Sequence, residues 1–294
     1  MISHSKKQTE LITNIISHLV LMIFALGIII PFFMIIVIAL CKSNYLATRT
    51  PFVWFPKWSE MDFSAFGRVL NDTTYYVEVT GMSMVLTGFL NTMKIAIPTL
   101  VIGMFSSSIS AYAFAKMRFP GKGVIFMILL GSMMLPGIIM MVPSYVLYSS
   151  IGLTNSYFPL MVPGMFGSAA CVFFLRQFFM GLPTELVEAA KIDGMSHFGI
   201  YLRIILPLAM PAVLAQTVLG FLAIYNDYLG PLIYLSEERK YTLQLALNMF
   251  STAANSDLPR VMAACIMAML PTIILYLIAQ KYFIQGIALS GLKD

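Results

Sequence analysis

Glu188–Pro207 reads EAAKIDGMSHFGIYLRIILP, a polar island in an otherwise apolar chain. Around it the composition is 59% hydrophobic and only 11% charged, against about 25% charged in an ordinary soluble domain. Mean hydropathy is +0.86. A bilayer crossing takes about 20 predominantly apolar residues, so the chain has room for about five to seven spans. The fold class this predicts is all-α and polytopic, because helices satisfy their own backbone where lipid offers no partner. A polar segment between two spans is then where such a protein can meet a soluble partner.

Five charge-free stretches stand out: Leu19–Cys41, Ile95–Ala115, Gly123–Leu175, Ile204–Asn226 and Val261–Gln280. The third is too long for one crossing, and its middle, Pro143–Pro159, is dense in proline, glycine, serine and asparagine, which signal turns. Dividing it gives six spans, near 19–41, 91–115, 124–145, 158–176, 204–227 and 261–281, in one domain covering 1–294. The first is expected to stay uncleaved, since a signal-peptide core is about 7–15 residues. Lys116, Arg118 and Lys122 share the link between spans two and three without an acid, whereas the next link has no charge. Basic loops stay inside, so both termini are expected in the cytoplasm. Residues 42–90 then form an extracytoplasmic loop, 183–207 a cytoplasmic loop and 286–294 a cytoplasmic tail.

Several function classes drop out. The net charge of +5 comes from scattered residues, and no basic helix or stripe suggests nucleic acid. Cys41, Cys171 and Cys265 are odd in number and far apart, so neither a disulfide framework nor a metal site is indicated. Gly121-Lys122-Gly123 lacks the spacing and the hydroxyl of a phosphate-cradling loop, and no catalytic constellation is visible. Without a clear repeat or paired intramembrane acids, a secondary transporter is the weaker reading.

Within the loop, Thr184 after Pro183 is placed to cap a helix. Glu185 suits the positive end of its dipole. Gly194 suits the left-handed residue that ends a helix, and Ser196 can cap a second short one. An ordinary amphipathic loop, with Glu188 paired to Lys191 on its own helix, is the plain alternative. The spacing, however, resembles the EAA loop of bacterial ABC importer permeases: Glu188-Ala189-Ala190, three residues, Gly194, nine residues, Ile204, one residue, Leu206-Pro207. The likeness extends along the chain to the carbohydrate-uptake branch, its shorter maltose-permease-like subunit in particular. Asn91, Ala111–Ala115 and Phe119–Gly121 carry it around span two. Asn226-Asp227-Tyr228 followed by Pro231-Leu232 carries it after span five, with Tyr225 in place of the usual tryptophan. The tail Gln280–Gly286 with Gly291–Lys293 resembles the terminal signature.

The resemblance implies a type I ABC importer permease fold in a bacterial inner membrane. It implies a second, homologous permease subunit forming a heterodimer, two ATPase subunits carrying the ATP and Mg, an extracytoplasmic solute-binding protein and a carbohydrate solute, with lipid around the spans. A permease for another solute class remains the alternative. The coupling contacts it implies are Glu188, Ala189, Ala190, Asp193 and Gly194, with Gln285, Gly286 and Lys293 of the tail as a second contact. Tyr225, Asn226, Asp227 and Tyr228 are candidate solute contacts, against a purely structural or interfacial role. Trp54 and Trp58 are either binding-protein contacts or interfacial belt anchors. Ser106, Ser107, Ser108 and Ser110 read as close helix packing.

Overall fold

The computed structural model describes residues 2–71, 76–77, 81–253 and 257–291. In chain order the helices are α1 (Ile2–Ala39), α2 (Asn44–Thr48), α3 (Ser64–Leu70), α4 (Met84–Lys116), α5 (Lys122–Ser132), α6 (Gly137–Ser150), α7 (Phe158–Met165), α8 (Ala169–Met180), α9 (Glu185–Ile192), α10 (His197–Ile200), α11 (Leu206–Leu208), α12 (Met210–Tyr225), α13 (Leu229–Tyr234), α14 (Leu243–Ala253) and α15 (Leu258–Gly291). A π-helical turn, Tyr201–Ile205, joins α10 to α11. A short antiparallel hairpin pairs Tyr76–Val77 with Met82–Ser83. The chain divides into two compact units, residues 1–72 with 250–267 and residues 73–249 with 268–294.

Among the described residues, four helical stretches are long and apolar enough to cross a membrane: Leu11–Ala39, Met84–Lys116, Phe158–Met180 and Leu258–Gln280. Two bent pairs, α5 with α6 at 93° and the helical stretch His197–Leu208 with α12 at 78°, bring the number to six when each counts as one span. The breaks have local causes. Pro136 disfavours helical backbone at Leu135, and α5 ends three residues earlier. Pro211 has no amide proton to donate to Pro207 O, so the ladder is interrupted between α11 and α12. The spans expected near 124–145 and 204–227 thus coincide with bent helix pairs. The second span starts at Met84, capped by Ser83 Oγ accepting from Leu86 N at 3.4 Å, seven residues before the expected start.

In the first unit, Ser43 caps α2 and the loop after α1 is tied back on itself. Lys42 N donates to Glu60 O at 2.9 Å and Asp62 N to Leu40 O at 2.8 Å. Arg49 holds the Glu60 carboxylate with two bonds of 3.1 and 3.2 Å, which keep that carboxyl below its ordinary range, helped by the Lys57 amide. Trp54 stacks on Phe33 of α1 at 6.4 Å and meets Phe52 edge-on. Trp58 is 81% exposed.

In the second unit α4 packs chiefly against α8, α7 and α12. Its buried face carries Thr87, Asn91, Thr92, Thr99, Ser107 and Ser108 among apolar residues. By contrast α5 and α6 bury none of their side chains, as expected where lipid or another membrane helix supplies the surroundings. Backbones approach most closely at Gly103, where an added Cβ would stand 2.3 Å from the Gly164 carbonyl oxygen. Small residues permit such contacts between membrane helices. Gly103→Ala is accordingly expected to lose about 1–3 kcal/mol through overpacking, read as a lower Tm in detergent. Gly131→Ala, with open space around it, is expected to leave Tm unchanged or raise it slightly.

The segment joining α13 to α14 has little structure of its own and is held by side chains. Asn91 Nδ2 donates to the carbonyls of Arg239 and Tyr241 at 2.9 and 3.0 Å. Thr92 Oγ1 accepts from Leu243 N at 2.9 Å. Asn155, from the link between α6 and α7, accepts from the amides of Ser236 and Glu237 and bonds the Glu237 carboxylate.

Candidate functional site

The 183–207 loop is built on the end of α8. Lys116, the last residue of α4, donates to Leu182 O at 2.7 Å, and Arg176 donates to Phe114 O at 3.3 Å while lying 4.1 Å over the Phe126 ring. Two basic side chains thus satisfy carbonyls where helices α4 and α8 end. Thr184 does not cap α9 as expected. Its backbone is already helical, at φ −74 and ψ −28, and its side chain makes no cap bond, whereas a side-chain cap needs the extended geometry. Glu185 and Glu188 occupy the first turn of α9 and Lys191 the last, the arrangement the helix dipole favours.

Gly194 closes α9 at φ +79. Gly194 N donates to Lys191 O at 3.0 Å, and Met195 N reaches back to Ala190 O at 2.9 Å. Those two bonds define a Schellman end, which needs a left-handed residue there. Ser196 then caps α10, its Oγ accepting from Gly199 N at 3.2 Å.

Helical spacing sorts the loop residues by face. Val187 and Ala190 are buried against a cluster that includes Phe179, Ile200, Tyr201 and Ile205. Glu188, Ala189, Asp193 and Gly194 are exposed, as are Leu186 and Ile192, the last at 86%. Ala190 is therefore corrected from a partner contact to an inward packing residue, whose small side chain lets α9 lie close to its own chain. Glu188 forms no ion pair with Lys191, nor with any other cation among the described residues. The arrangement offers an unpaired carboxylate beside an apolar stripe of Leu186, Ala189 and Ile192. His197 Nδ1, in the same loop, lies 3.4 Å from the buried Tyr112 hydroxyl.

The second group does not converge on one point. Tyr225 is 2% exposed and its hydroxyl donates to Ala268 O at 2.7 Å. With its polar atom committed and its ring enclosed, it is a packing residue, and its place among solute contacts is corrected. Asp227 Oδ1 accepts from Gly230 N at 3.1 Å, steadying the start of α13. It also borders a cavity of about 270 Å³ with Thr92, Ile95, Leu160, Pro231 and Thr242. Asn226 is exposed and accepts from Gln244 at 3.3 Å, and the Tyr228 hydroxyl donates to Asn248 Oδ1 at 3.3 Å. Gln285 and Gly286 fall within the α15 backbone, where no side chains are described, and Lys293 lies outside the described residues. Among the described residues no group of three His, Cys, Asp or Glu is placed to hold a metal.

Sequence reasoning missed Asn155 and Tyr201. A non-glycine residue at positive φ, as Asn155 is, gives no sequence signal beyond asparagine in a turn. Tyr201 reads as one more aromatic in an apolar run.

Residues 100–289 match the family described as binding-protein-dependent transport system inner membrane component, and the chain belongs to it. It is a multi-pass inner-membrane permease component, and its role is transport rather than catalysis. The chain is 34% identical over 226 residues to the arabinooligosaccharides transport system permease protein AraQ of Bacillus subtilis (strain 168), covering 77% of this chain and 80% of that one. It is 32% identical over 198 residues to the lactose transport system permease protein LacG of Rhizobium radiobacter, covering 67% and 72%. A chain of a bacterial ABC transporter involved in the import of the acidic polysaccharide alginate superposes with a TM-score of 0.77 at 26% identity, over 92% of this chain and 96% of that one.

Proposed function

We propose that this permease carries a di- or oligosaccharide inward, paired with a second, homologous but distinct permease subunit. Two ATPase subunits, holding ATP and Mg, drive it from the cytoplasm, where both termini and the 183–207 loop lie. An extracytoplasmic solute-binding protein delivers the sugar. The names of the similar proteins, which speak of arabinooligosaccharides, lactose and alginate, support the solute class. The observation that carries the motor attachment is the outward face of α9, where Glu188, with no ion-pair partner among the described residues, stands beside exposed Ala189 and Asp193.

In this reading ATP closes the motor dimer, the α9 helices move with it, and the solute path opens outward; hydrolysis resets it. Only a difference in ATP affinity between the two states can shift that equilibrium. Asn226, Asp227 and Tyr228 are the proposed solute contacts, Trp54 and Trp58 the proposed binding-protein contacts, and Gln285, Gly286 and Lys293 the proposed tail contacts. The test is co-purification from membranes followed by reconstitution. An ATPase, a second permease and a binding protein are expected with this chain, and labelled oligosaccharide is expected to enter vesicles only with ATP. Uptake without any ATPase would overturn the mechanism, and ATP-driven uptake of a non-sugar alone would overturn the solute class.

A further inference from the structure

Three consecutive serines of α4 send their hydroxyls to three different elements. Ser106 Oγ donates to the carbonyl of Met165, the last residue of α7, at 2.9 Å. Ser107 Oγ accepts from Ser168 N, at the start of α8, at 3.2 Å. Ser108 Oγ lies 2.6 Å from the Tyr201 hydroxyl. It also donates to Phe105 O in its own helix at 3.1 Å, which makes Tyr201 the donor to Ser108. Ser107 and Ser108 are each 2% exposed and Tyr201 is fully buried. Losing one partner of a buried pair leaves the other unsatisfied, which costs more than the bond itself contributes.

The elements so held are the two irregular places in the neighbouring backbone. One is the break between α7 and α8, where Gly167 sits at φ +91 and an added Cβ would stand 2.7 Å from Ser107 Oγ. The other is the π-helical turn that begins at Tyr201, by which the polar loop leaves for α12. Such turns are frequent at functional sites. The Tyr201 ring also contacts Tyr112, Phe198 and Phe105, with centroids 5.5, 6.1 and 6.4 Å away. Close packing alone asks only for small side chains, and alanine would serve as well. Three directed hydroxyls on one stretch of an unbroken helix do more, because they fix both irregular segments to the same rigid element.

We propose that Ser106, Ser107 and Ser108, with Tyr201, form a positioning junction that carries displacement of the 183–207 loop into α4 and the α7–α8 break. It rests on the reading of that loop as the ATPase attachment. The test uses the complete transporter in proteoliposomes with its binding protein, and reads solute moved per ATP hydrolysed. Tyr201→Phe and Ser108→Ala are each expected to keep ATPase activity while that ratio falls about three- to tenfold, the scale of one lost buried hydrogen bond. The double variant is expected to fall no further than the worse single one, since both changes remove the same bond and the pair together leaves no hydroxyl unsatisfied. Ser106→Ala, which breaks only the tie to α7, supplies a second variant for the same readout should Tyr201→Phe fold poorly. A ratio unchanged in all of them, or ATPase and transport lost in proportion, overturns the junction. Glu188→Lys separates the two ideas. If it leaves uptake intact, the loop reading itself has failed; if it stops uptake while Tyr201→Phe keeps the ratio, only the junction has.

Discussion

Glu188→Lys is expected to stop ATP-driven uptake while the protein inserts in the membrane at its normal level. The folded chain gives this carboxylate little to do. It is exposed and forms no ion pair among the described residues. Its one intramolecular benefit is its place in the first turn of α9, worth about 0.3–1 kcal/mol at an exposed helix start. A lysine there removes that amount and stays below what a folded domain tolerates. At an interface with a basic partner residue the cost is of another order. Breaking a buried ion pair destabilises by about 3–5 kcal/mol, roughly a hundredfold or more in affinity. Glu185→Lys is the control on the same helix: it suffers the same dipole penalty, and loses in addition an attraction to Lys116, without touching the proposed contact. It is expected to retain most uptake. Immunoblotting of membranes, co-purification of the ATPase and vesicle uptake read the three quantities separately. Undiminished uptake in Glu188→Lys would remove the coupling role, and equal losses in both variants would assign the effect to the helix rather than to the contact.

The helix that bears Glu188 was legible in sequence because its boundaries rest on local chemistry. Gly194 is the left-handed residue a Schellman end needs, and Ser196 has the hydroxyl for the next cap. Thr184 misled for the same reason in reverse. Its type suits a cap, but the turn after Pro183 sets its backbone in the helical region. Span number followed from charge-free length, whereas span shape did not. Pro136 bends one crossing sharply, yet Pro98 and Pro271 lie inside α4 and α15 without ending them, so proline alone does not locate a break. The start of α4 was hidden because Lys94 interrupts the charge-free run, Ile95–Ala115, by which the span was recognised, although the helix continues through it from Met84. The face of Ala190 depends on the phase of a two-turn helix, which one buried neighbour, Val187, decides. Tyr225 shows the same limit, since tyrosine chemistry suits a sugar equally well until the Ala268 carbonyl occupies it.

Asn155→Asp is expected to make stability and uptake depend on pH through the contact between residues 155 and 237. Asn155 stands at φ +53 with every polar group engaged. Its amide donates to Tyr234 O at 2.7 Å, its Oδ1 accepts from Ser236 and Glu237 amides, and its carbonyl accepts from Lys240 at 2.8 Å. Its Nδ2 donates to the Glu237 carboxylate. Bonds from Arg239 first, then Lys240 and Asn155, hold the Glu237 pKa down to about 2 from its ordinary 4.5. A depressed carboxyl stabilises the fold above its ordinary pKa, and that contribution is lost only as pH falls from 4.5 toward 2. Nothing in this clamp therefore changes across the neutral range. An aspartate at 155 replaces the donor with a second carboxylate facing the first. Two carboxylates sharing a site drive one pKa strongly upward, and the proton belongs to the pair rather than to either residue. Arg239 and Lys240 remain beside the pair and offset part of that repulsion, so the variant is expected to show a lower Tm and weaker uptake at neutral pH, with both recovering on acidification as the pair takes up a proton. Asn155→Ala is expected to be impaired at neutral and acidic pH alike, because no proton can restore a missing side chain. Combining Asn155→Asp with Glu237→Gln puts the donor at 237 and the acceptor at 155 and keeps the net charge, so it is expected to recover at neutral pH. A flat pH response in Asn155→Asp, or a double variant no better than the single, would show that these two loops are held together by something other than this bond.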